Sequence, residues 1–268
     1  MTQPLLQRSN AIDAQAFSPS PANELRRVWR AFRVVVHLCY GLLLALCLFA
    51  FWRPYSPVVR RAAQHWQKRL LHILSVDVEV IGRADAGARF LVSNHVSWLD
   101  IPVIGAQRNV HFLSKAEVRK WPLIGQLSVA AGTLFIRRGA GESRQKSHEV
   151  AKHLQRGRTI LVFPEGTTTD GTGLRRFFPQ LFNAPLIATS RVQPVALQYL
   201  DARGRVDTQP AFIGDDAFHH HLWALLRRDV IRVRVCFLPS LDVATTEQDA
   251  AEALCRESRE AIARVLAD

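Results

Sequence analysis

Two side chains that could move a proton stand five positions apart in the stretch NHVSWLD, residues 94 to 100. His95 could take a proton near neutral pH, and the carboxylate of Asp100 could orient its ring. Within one continuous helix, five residues would turn the chain by about 500° and separate the two side chains. Pro102 fits only the first turn of a helix, so we predict a helix beginning near Asp100, with His95 in the preceding turn. There the two groups can meet; the alternative is a core histidine followed by an N-cap aspartate.

Two further stretches place polar side chains at the ends of predicted strands. GTLFIRR ends in Arg137 and Arg138, whose guanidinium groups could bind a phosphate. FPEGTTT carries Glu165, Gly166 and Thr167, and a glycine in such a loop lets backbone N–H groups come close to an anion. Taken singly, each stretch is also compatible with ordinary turn chemistry at the end of a strand.

Four blocks in a fixed order resemble a known family. NHxSxxD, GxxFIxR, FPEGT and a VxPVA strand are similar to the glycerolipid acyltransferase family that includes the 1-acylglycerol-3-phosphate acyltransferases. The resemblance implies transfer of a fatty acyl group from acyl-CoA or acyl carrier protein to the hydroxyl of a lysolipid. It favours 1-acylglycerol-3-phosphate as the acceptor and phosphatidate as the product. No cofactor is expected beyond the acyl donor, which serves as co-substrate.

The resemblance also assigns roles by position. His95 would be the general base on the acceptor hydroxyl, and Asp100 would orient it. The head group of the acceptor would be held by Arg137, Glu165, Gly166 and Thr167. A base suits this chemistry because a hydroxyl is hard to deprotonate at neutral pH, whereas a thiolate leaves without help. The chain contains no GxSxG nucleophile motif, so no acyl-enzyme is expected, and backbone N–H groups of residues 94 to 97 are candidates for the oxyanion hole.

The chain departs from the family pattern in the loop after FPEGT. Many members carry arginine or lysine where this chain has Thr168, and small residues where it has Gln180 and Leu181. One expected phosphate contact is therefore missing, although Arg175 and Arg176 could replace it. Family members with a TTxDG loop include acyltransferases of lyso-ornithine lipid, whose head group lacks phosphate. Lyso-ornithine lipid or another lysophospholipid is therefore the alternative acceptor, and a membrane-bound lipid hydrolase is a less favoured activity.

The elements that must position these residues follow from hydrophobic periodicity beyond residue 75. Strands are predicted at 77–82, 89–93, 109–113, 133–137, 159–163, 192–199 and 231–238. Helices are predicted at 100–107, 143–156, 215–227 and 246–266. This order predicts one α/β domain over residues 76–268, with a central mixed sheet flanked by helices. Pro194 inside an apolar strand predicts an edge strand, a bulge or a position that lines a cavity.

The region before the domain is predicted to be an N-terminal membrane-associated helical hairpin, residues 26–75, behind a polar, flexible start at 1–25. The apolar run 34–51 makes about 27 Å of helix, just enough to cross the hydrocarbon of a bilayer. Residues 58–74 form an amphipathic helix that either lies in the membrane interface or packs on its own domain. Basic residues flank the apolar run on both sides, so charge does not decide its orientation.

The overall charge and the cysteines limit the partners and the compartment. Lysine and arginine outnumber aspartate and glutamate by 35 to 23, which gives a formal charge of +12 and favours membrane lipid, an acidic carrier protein or phosphorylated substrates. No nucleic acid is expected, because the basic residues flank apolar helices. The four cysteines form no CxxC pair, which favours a reduced, cytosol-facing protein. We expect a membrane location with the active site facing the cytoplasm, at a bacterial inner membrane. The three histidines at 219 to 221 are predicted to be solvated and to bind no metal.

Overall fold

The strands of the protein form one sheet with the order β1-β7-β6-β2-β5-β3-β4. The computed structural model describes residues 21–52, 56–121, 123–136, 143–214, 217–243 and 249–267. The strands are β1 (Val76–Gly82), β2 (Phe90–Ser93), β3 (His111–Lys115), β4 (Leu134–Ile136), β5 (Ile160–Val162), β6 (Val192–Leu200) and β7 (Ile231–Phe237). β6 and β7 are antiparallel, and the other neighbouring pairs are parallel. The predicted mixed sheet is therefore confirmed.

Helices cover both faces of this sheet. They are α1 (Pro21–Phe51), α2 (Pro57–Ile73), α3 (Asp100–Gln107), α4 (Ile124–Ala130), α5 (Ser143–Gln155), α6 (Asn183–Ala188), α7 (Phe218–Leu225) and α8 (Ala250–Ala267). On one face, Leu91 and Leu197 of the sheet pack with residues of α2 and α3. On the other face, Phe90 and Val92 pack with residues of α5 and α8. The centre of the sheet is buried on both faces, which is why its strands read as apolar runs in the sequence.

The parallel central strands determine where the polar stretches meet. β2 and β5 run side by side, with Val92 paired to Val162, so both strands end at the same edge of the sheet. β2 leads directly into Asn94 and His95, and β5 leads into Phe163 and the loop that follows. Two motifs that are distant in the sequence therefore converge at one edge, where ligands of open parallel sheets bind.

The expectation of an edge strand at Pro194 is wrong. β6, which contains Pro194, lies between β2 and β7 in the middle of the sheet. The pairing of β6 with β7 begins one residue later, at Val195 and Phe237, and the carbonyl of Pro194 accepts a hydrogen bond from the N–H of Leu238 at 3.0 Å. In a strand, the N–H and the C=O of one residue point toward the same neighbouring strand. The N–H that Pro194 lacks would therefore face the end of β7, where the regular hydrogen bonds between β6 and β7 stop, so the proline leaves no partner unsatisfied there.

The N-terminal helices pack closely on the domain. α1 begins at Pro21, within the stretch that was expected to be flexible, while residues 1–20 lie outside the described part of the chain. α2 is capped by Ser56, whose hydroxyl accepts a hydrogen bond from the N–H of Val59 at 3.3 Å. Its buried residues include Val59, Leu70 and Ile73, and it packs on α3 and β1. The apolar face of α2 thus packs on its own domain, while the membrane-docking role of this helix stays a prediction.

α1 is long and apolar enough to cross a membrane, by length and composition, over Asn23–Phe49. Its N-terminal half is held by polar contacts. Arg27 lies over the ring of Trp223 at 3.7 Å from the ring centre, and Arg30 donates to the carbonyl of Arg228 at 2.6 Å and to Ser75 Oγ at 2.6 Å. Further along, the ring of His37 stacks on Trp66 with centroids 4.7 Å apart. α1 therefore lies along the domain for much of its length.

Candidate active site

His95 and Asp100 meet as the turn geometry predicted. α3 begins at Asp100, and His95 lies in the turn between β2 and that helix. The Nδ1–H of His95 donates a hydrogen bond to Oδ2 of Asp100 at 2.7 Å. This bond leaves Nε2 as the nitrogen that can accept a proton.

The carboxylate of Asp100 is fully buried and surrounded by donors. Its Oδ2 also accepts hydrogen bonds from the backbone N–H groups of Val96 at 2.7 Å and Ser97 at 3.0 Å. Its Oδ1 accepts a hydrogen bond from the hydroxyl of Tyr199 at 2.7 Å. Four donors thus hold this buried carboxylate and fix its position beside the imidazole of His95. Asp100 is the first helical residue and the N-cap position belongs to Leu99, so the N-cap alternative is wrong.

One face of the His95 ring is packed, and part of the side chain is exposed. It stacks on Phe163 with centroids 3.9 Å apart and planes 11° apart, and its side chain is 19% exposed. Phe163 follows β5, so the two motifs at this edge of the sheet make direct contact. The stacking restricts rotation of the imidazole while leaving it accessible to a substrate.

Glu165 lies behind the histidine. Its Oε1 accepts a hydrogen bond from the N–H of His95 at 2.9 Å, and its Oε2 accepts one from the N–H of Arg175 at 2.8 Å. The side chain is only 3% exposed, and this burial raises the pKa of its carboxyl. Glu165 thus ties the histidine turn to the loop after β5, and both of its oxygens are engaged by the protein itself.

The loop that contains Gly166 and Thr167 is fixed against the histidine turn. Gly166 has φ +70, a conformation that favours glycine. The N–H of Thr169 donates to the carbonyl of His95 at 2.8 Å, and the hydroxyl of Thr168 donates to the carbonyl of Phe212. The structure therefore brings Glu165, Gly166 and Thr167 next to His95 and Asp100, whereas Arg137 lies outside the described residues.

Two side chains with no predicted role support this site. Asn94 forms a pair of hydrogen bonds with the backbone of Leu197: its Nδ2 donates to the carbonyl at 2.9 Å, and its Oδ1 accepts from the N–H at 2.8 Å. Tyr199 lies on the same strand, two residues further on. Asn94 belongs to the NHxSxxD block, whereas the signal for Tyr199 was only a polar side chain in an apolar strand, a feature that many unrelated core positions share.

The expected oxyanion donors are wrong for residues 95 to 97. The N–H of His95 is bound to Glu165, and the N–H groups of Val96 and Ser97 are bound to Asp100. These groups hold the base in place, so they do not point at a developing charge on the substrate.

The three histidines of α7 have different environments. His219 and His220 are exposed, as expected, but His221 is half-buried and its Nδ1 accepts a hydrogen bond from Nε1 of Trp98 at 3.0 Å. Among the described residues, no group of three or more histidine, cysteine, aspartate or glutamate side chains could hold a metal ion. His221 instead ties α7 to the turn that contains His95.

Comparison with known proteins gives a consistent result. A family model described as Acyltransferase matches residues 76–198. A lyso-ornithine lipid O-acyltransferase of Pseudomonas aeruginosa is 42% identical over 242 residues, covering 89% of this chain and 92% of that protein. A 1-acyl-sn-glycerol-3-phosphate acyltransferase of Neisseria meningitidis is 34% identical over 179 residues, covering 66% of this chain and 69% of that protein. The crystal structure of a 1-acyl-sn-glycerophosphate acyltransferase from Thermotoga maritima has the same fold, with a TM-score of 0.67, 21% identity, and coverage of 92% and 95% of the two chains.

Proposed function

The chain belongs to the acyltransferase family, and from that premise we propose that it acylates the hydroxyl of lyso-ornithine lipid with His95 as the base. It is an O-acyltransferase of lysolipids, as its relatives are. The proposal adds the identity of the acceptor, the roles of the residues and the arrangement at the membrane. Lyso-ornithine lipid is proposed as the acceptor because the chain is 42% identical to the Pseudomonas aeruginosa protein over nearly the whole length of both chains.

The geometry supports a single displacement step. Nε2 of His95 takes the proton of the acceptor hydroxyl as its oxygen attacks the carbonyl carbon of the thioester. Asp100 holds Nδ1–H and stabilises the imidazolium that forms. The tetrahedral intermediate then expels a thiolate, whose thiol has a pKa of about 8.5, and His95 returns the proton to the thiolate or to water. The products are a diacylated lipid and a free thiol, and this reaction needs no cofactor beyond the donor.

The loop after β5 supports an acceptor without a phosphate group. Many family members carry a basic residue where this chain has Thr168. Here the hydroxyl of Thr168 is bonded to the carbonyl of Phe212, so it faces the protein backbone. Glu165 in the same loop has both oxygens engaged by backbone N–H groups, and it acts on the acceptor by shaping the loop that holds Gly166 and Thr167.

We further propose that the protein associates with the cytoplasmic face of a bacterial inner membrane through the outer face of α1, without crossing the bilayer. α1 and α2 run antiparallel, with Arg30 against Ser75 and His37 against Trp66. The buried residues of α2 begin at Val59, in its first turn, so the tip of the hairpin stays near the domain. Meeting the lipid at the interface avoids extraction of its acyl chain into water, which would cost about 0.8 kcal/mol per CH₂ group.

The donor is a thioester of coenzyme A or of acyl carrier protein. Both are anionic, and the formal charge of +12 on this chain is complementary to either. Arg175 and Arg176 are exposed, and the N–H of Arg175 is held by Glu165, so these two arginines add positive charge where the loop after β5 ends.

1-Acylglycerol-3-phosphate is the second candidate for the acceptor. Relatives that act on it share 34% identity over about two thirds of this chain. The exposed Arg175 and Arg176 could bind its phosphate.

A panel of substrates tests the proposal. The purified full-length protein in mixed micelles receives lyso-ornithine lipid, 1-acylglycerol-3-phosphate and lysophosphatidylethanolamine, each with acyl-CoA and with acyl carrier protein donors. We expect kcat/KM to be highest for lyso-ornithine lipid; a higher value for the phosphate acceptor would replace it with the second candidate. Release of free fatty acid without a diacylated product would instead indicate a hydrolase.

The same panel tests the base. His95→Ala should lower transfer to every acceptor by about a hundredfold or more, while binding to lipid vesicles stays unchanged. His148→Ala, which removes an exposed histidine on α5, is the matched control and should be fully active. Near-normal transfer by His95→Ala would refute the assignment.

A further inference from the structure

The hydroxyl of Tyr199 reaches the one oxygen of Asp100 that does not face His95. Tyr199 lies near the end of β6, its side chain is 2% exposed, and its hydroxyl donates to Oδ1 of Asp100 at 2.7 Å. Oδ2 of the same carboxylate receives Nδ1–H of His95 and two backbone N–H groups. The two oxygens therefore have separate tasks, one toward the imidazole and one toward the tyrosine.

A phenol at this position is not explained by packing alone. The ring belongs to the apolar cluster on the α2 and α3 side of the sheet, where a phenylalanine would fill the same space without burying a hydroxyl. Burial and the neighbouring carboxylate raise the pKa of the Tyr199 hydroxyl well above its usual value. The group therefore stays a protonated donor at every pH at which the enzyme works.

We propose that Tyr199 is a positioning residue for acyl transfer, which acts on His95 through Asp100. Its hydrogen bond fixes the rotation of the carboxylate so that Oδ2 stays on Nδ1–H of His95. It also draws negative charge toward Oδ1 and so limits how strongly Oδ2 holds a proton on the imidazole. The inference rests on the proposed role of His95 as the base, and it does not depend on which lysolipid is the acceptor.

Tyr199→Phe removes the hydroxyl and keeps the ring, so it separates this role from packing. We expect kcat to fall about tenfold or more, which equals a loss of about 1.4 kcal/mol of transition-state stabilisation. KM for both substrates should change less than about twofold, because the tyrosine touches neither of them. The acidic limb of the pH profile of kcat/KM should move to higher pH, because the freed charge on Oδ2 holds the imidazolium proton more tightly.

The other charged groups near His95 and Asp100 are the same in the wild type and in Tyr199→Phe. Glu165 lies against the backbone of His95, and Arg175 lies beyond Glu165. Neither contacts Tyr199 through a described hydrogen bond, so they give no reason for a shift between the wild type and Tyr199→Phe.

Two controls decide between positioning and simple destabilisation. Val235→Ala weakens the same sheet at a buried position on β7, and it should lower the melting temperature without moving the acidic limb. In a protein that already carries Asp100→Asn, the Tyr199→Phe change should alter kcat by less than about twofold, since it acts through the carboxylate. An unchanged kcat and pH profile in Tyr199→Phe, or an equal further loss in the Asp100→Asn protein, would overturn the inference.

The role of His95 as the base can be refuted independently of the role of Tyr199. If His95→Ala stays active, His95 is not the base, whatever Tyr199→Phe does. If His95→Ala is inactive and Tyr199→Phe matches the wild type in kcat and pH profile, the base stands and the positioning role is wrong.

Discussion

The protein holds the side chain and the backbone of His95 in place before any substrate arrives. The imidazole is fixed by Asp100 through Nδ1 and by the face of Phe163, while Glu165 fixes the backbone at the same residue. A base held in one orientation needs no rearrangement during the reaction, which is the main advantage of a preorganised site. Of the two ring nitrogens, Nδ1 is engaged by Asp100, so Nε2 is the one that can take a proton from a substrate.

Glu165 gives a prediction about stability and pH. Burial raises the pKa of this carboxyl above its ordinary value of 4.5, so the folded protein holds this proton to higher pH than the unfolded chain does. The contribution of Glu165 to stability is therefore largest below 4.5 and declines as the pH rises from 4.5 through the raised pKa. We expect the melting temperature of the wild type, relative to that of Glu165→Gln, to fall over that range. The measurement is thermal unfolding of both proteins in detergent, followed by circular dichroism between about pH 4 and 8.

A constant difference between the two melting temperatures across this range would contradict the assignment of Glu165 as a buried carboxyl. The matched control is Glu257→Gln on α8, an exposed glutamate that should give no such trend.

At the level of residues, some contacts of the site could be predicted from the sequence and others could not. The spacing of His95, Asp100 and Pro102 was sufficient to show that the first two could meet, because the geometry is local and the proline fixes where the helix begins. The contacts of Glu165 and Tyr199 were not predictable, since each depends on which strands become neighbours. Direct binding of the head group by Glu165 stays a prediction, although both of its carboxylate oxygens accept hydrogen bonds from backbone N–H groups of the protein.

At the scale of elements, the strands were predictable and the short helices were not. All seven predicted strands occur, within two residues at each end. The central strands β2, β5 and β6 are buried along their whole length, so they are apolar runs with clear limits. α4 and α6 were missed because seven and six residues give too few turns for a helical period to show. The positions of these short helices depend on the domain around them rather than on local preference.

The hairpin of α1 and α2 gives a prediction about topology. The helices are antiparallel and packed on the domain, so Trp52 at the tip should stay on the side of the membrane that carries the domain. In a background with Cys39→Ser and Cys47→Ser, Trp52→Cys should not react with a membrane-impermeant maleimide added outside intact spheroplasts. Cys236 and Cys255 are buried and provide a low background.

A reference position completes this experiment. Arg203→Cys, on an exposed loop of the domain, should react in inverted vesicles and not in spheroplasts. Reaction of Trp52→Cys from the outside, with Arg203→Cys protected there, would show that α1 crosses the bilayer.

The whole molecule combines an apolar surface with a large positive charge. α1 exposes large apolar side chains along one side, among them Leu25, Trp29, Leu43 and Leu46. The adjacent α2 exposes Arg61, Lys68 and Arg69. Apolar contact alone would bind neutral and anionic lipid equally, whereas basic residues near the surface add about 1 kcal/mol each on anionic lipid.

The location of the charge, rather than its total, should therefore govern binding to the membrane. The triple variant Arg61→Gln, Lys68→Gln, Arg69→Gln should bind vesicles with 30% anionic lipid at least about tenfold more weakly than the wild type at low salt, since about 1 kcal/mol is lost per residue. At 0.5 M salt, where screening limits charge interactions to a few ångströms, the two proteins should bind the vesicles equally well.

A second triple variant, Arg203→Gln, Arg232→Gln, Arg256→Gln, removes the same charge from exposed positions elsewhere on the domain and should bind as the wild type does. If cosedimentation gave equal losses for both triple variants, net charge would govern binding and α2 would have no special place at the membrane. Since binding delivers the enzyme to its lipid, activity on vesicles should follow the same order, while activity in neutral detergent micelles should be equal for all three proteins.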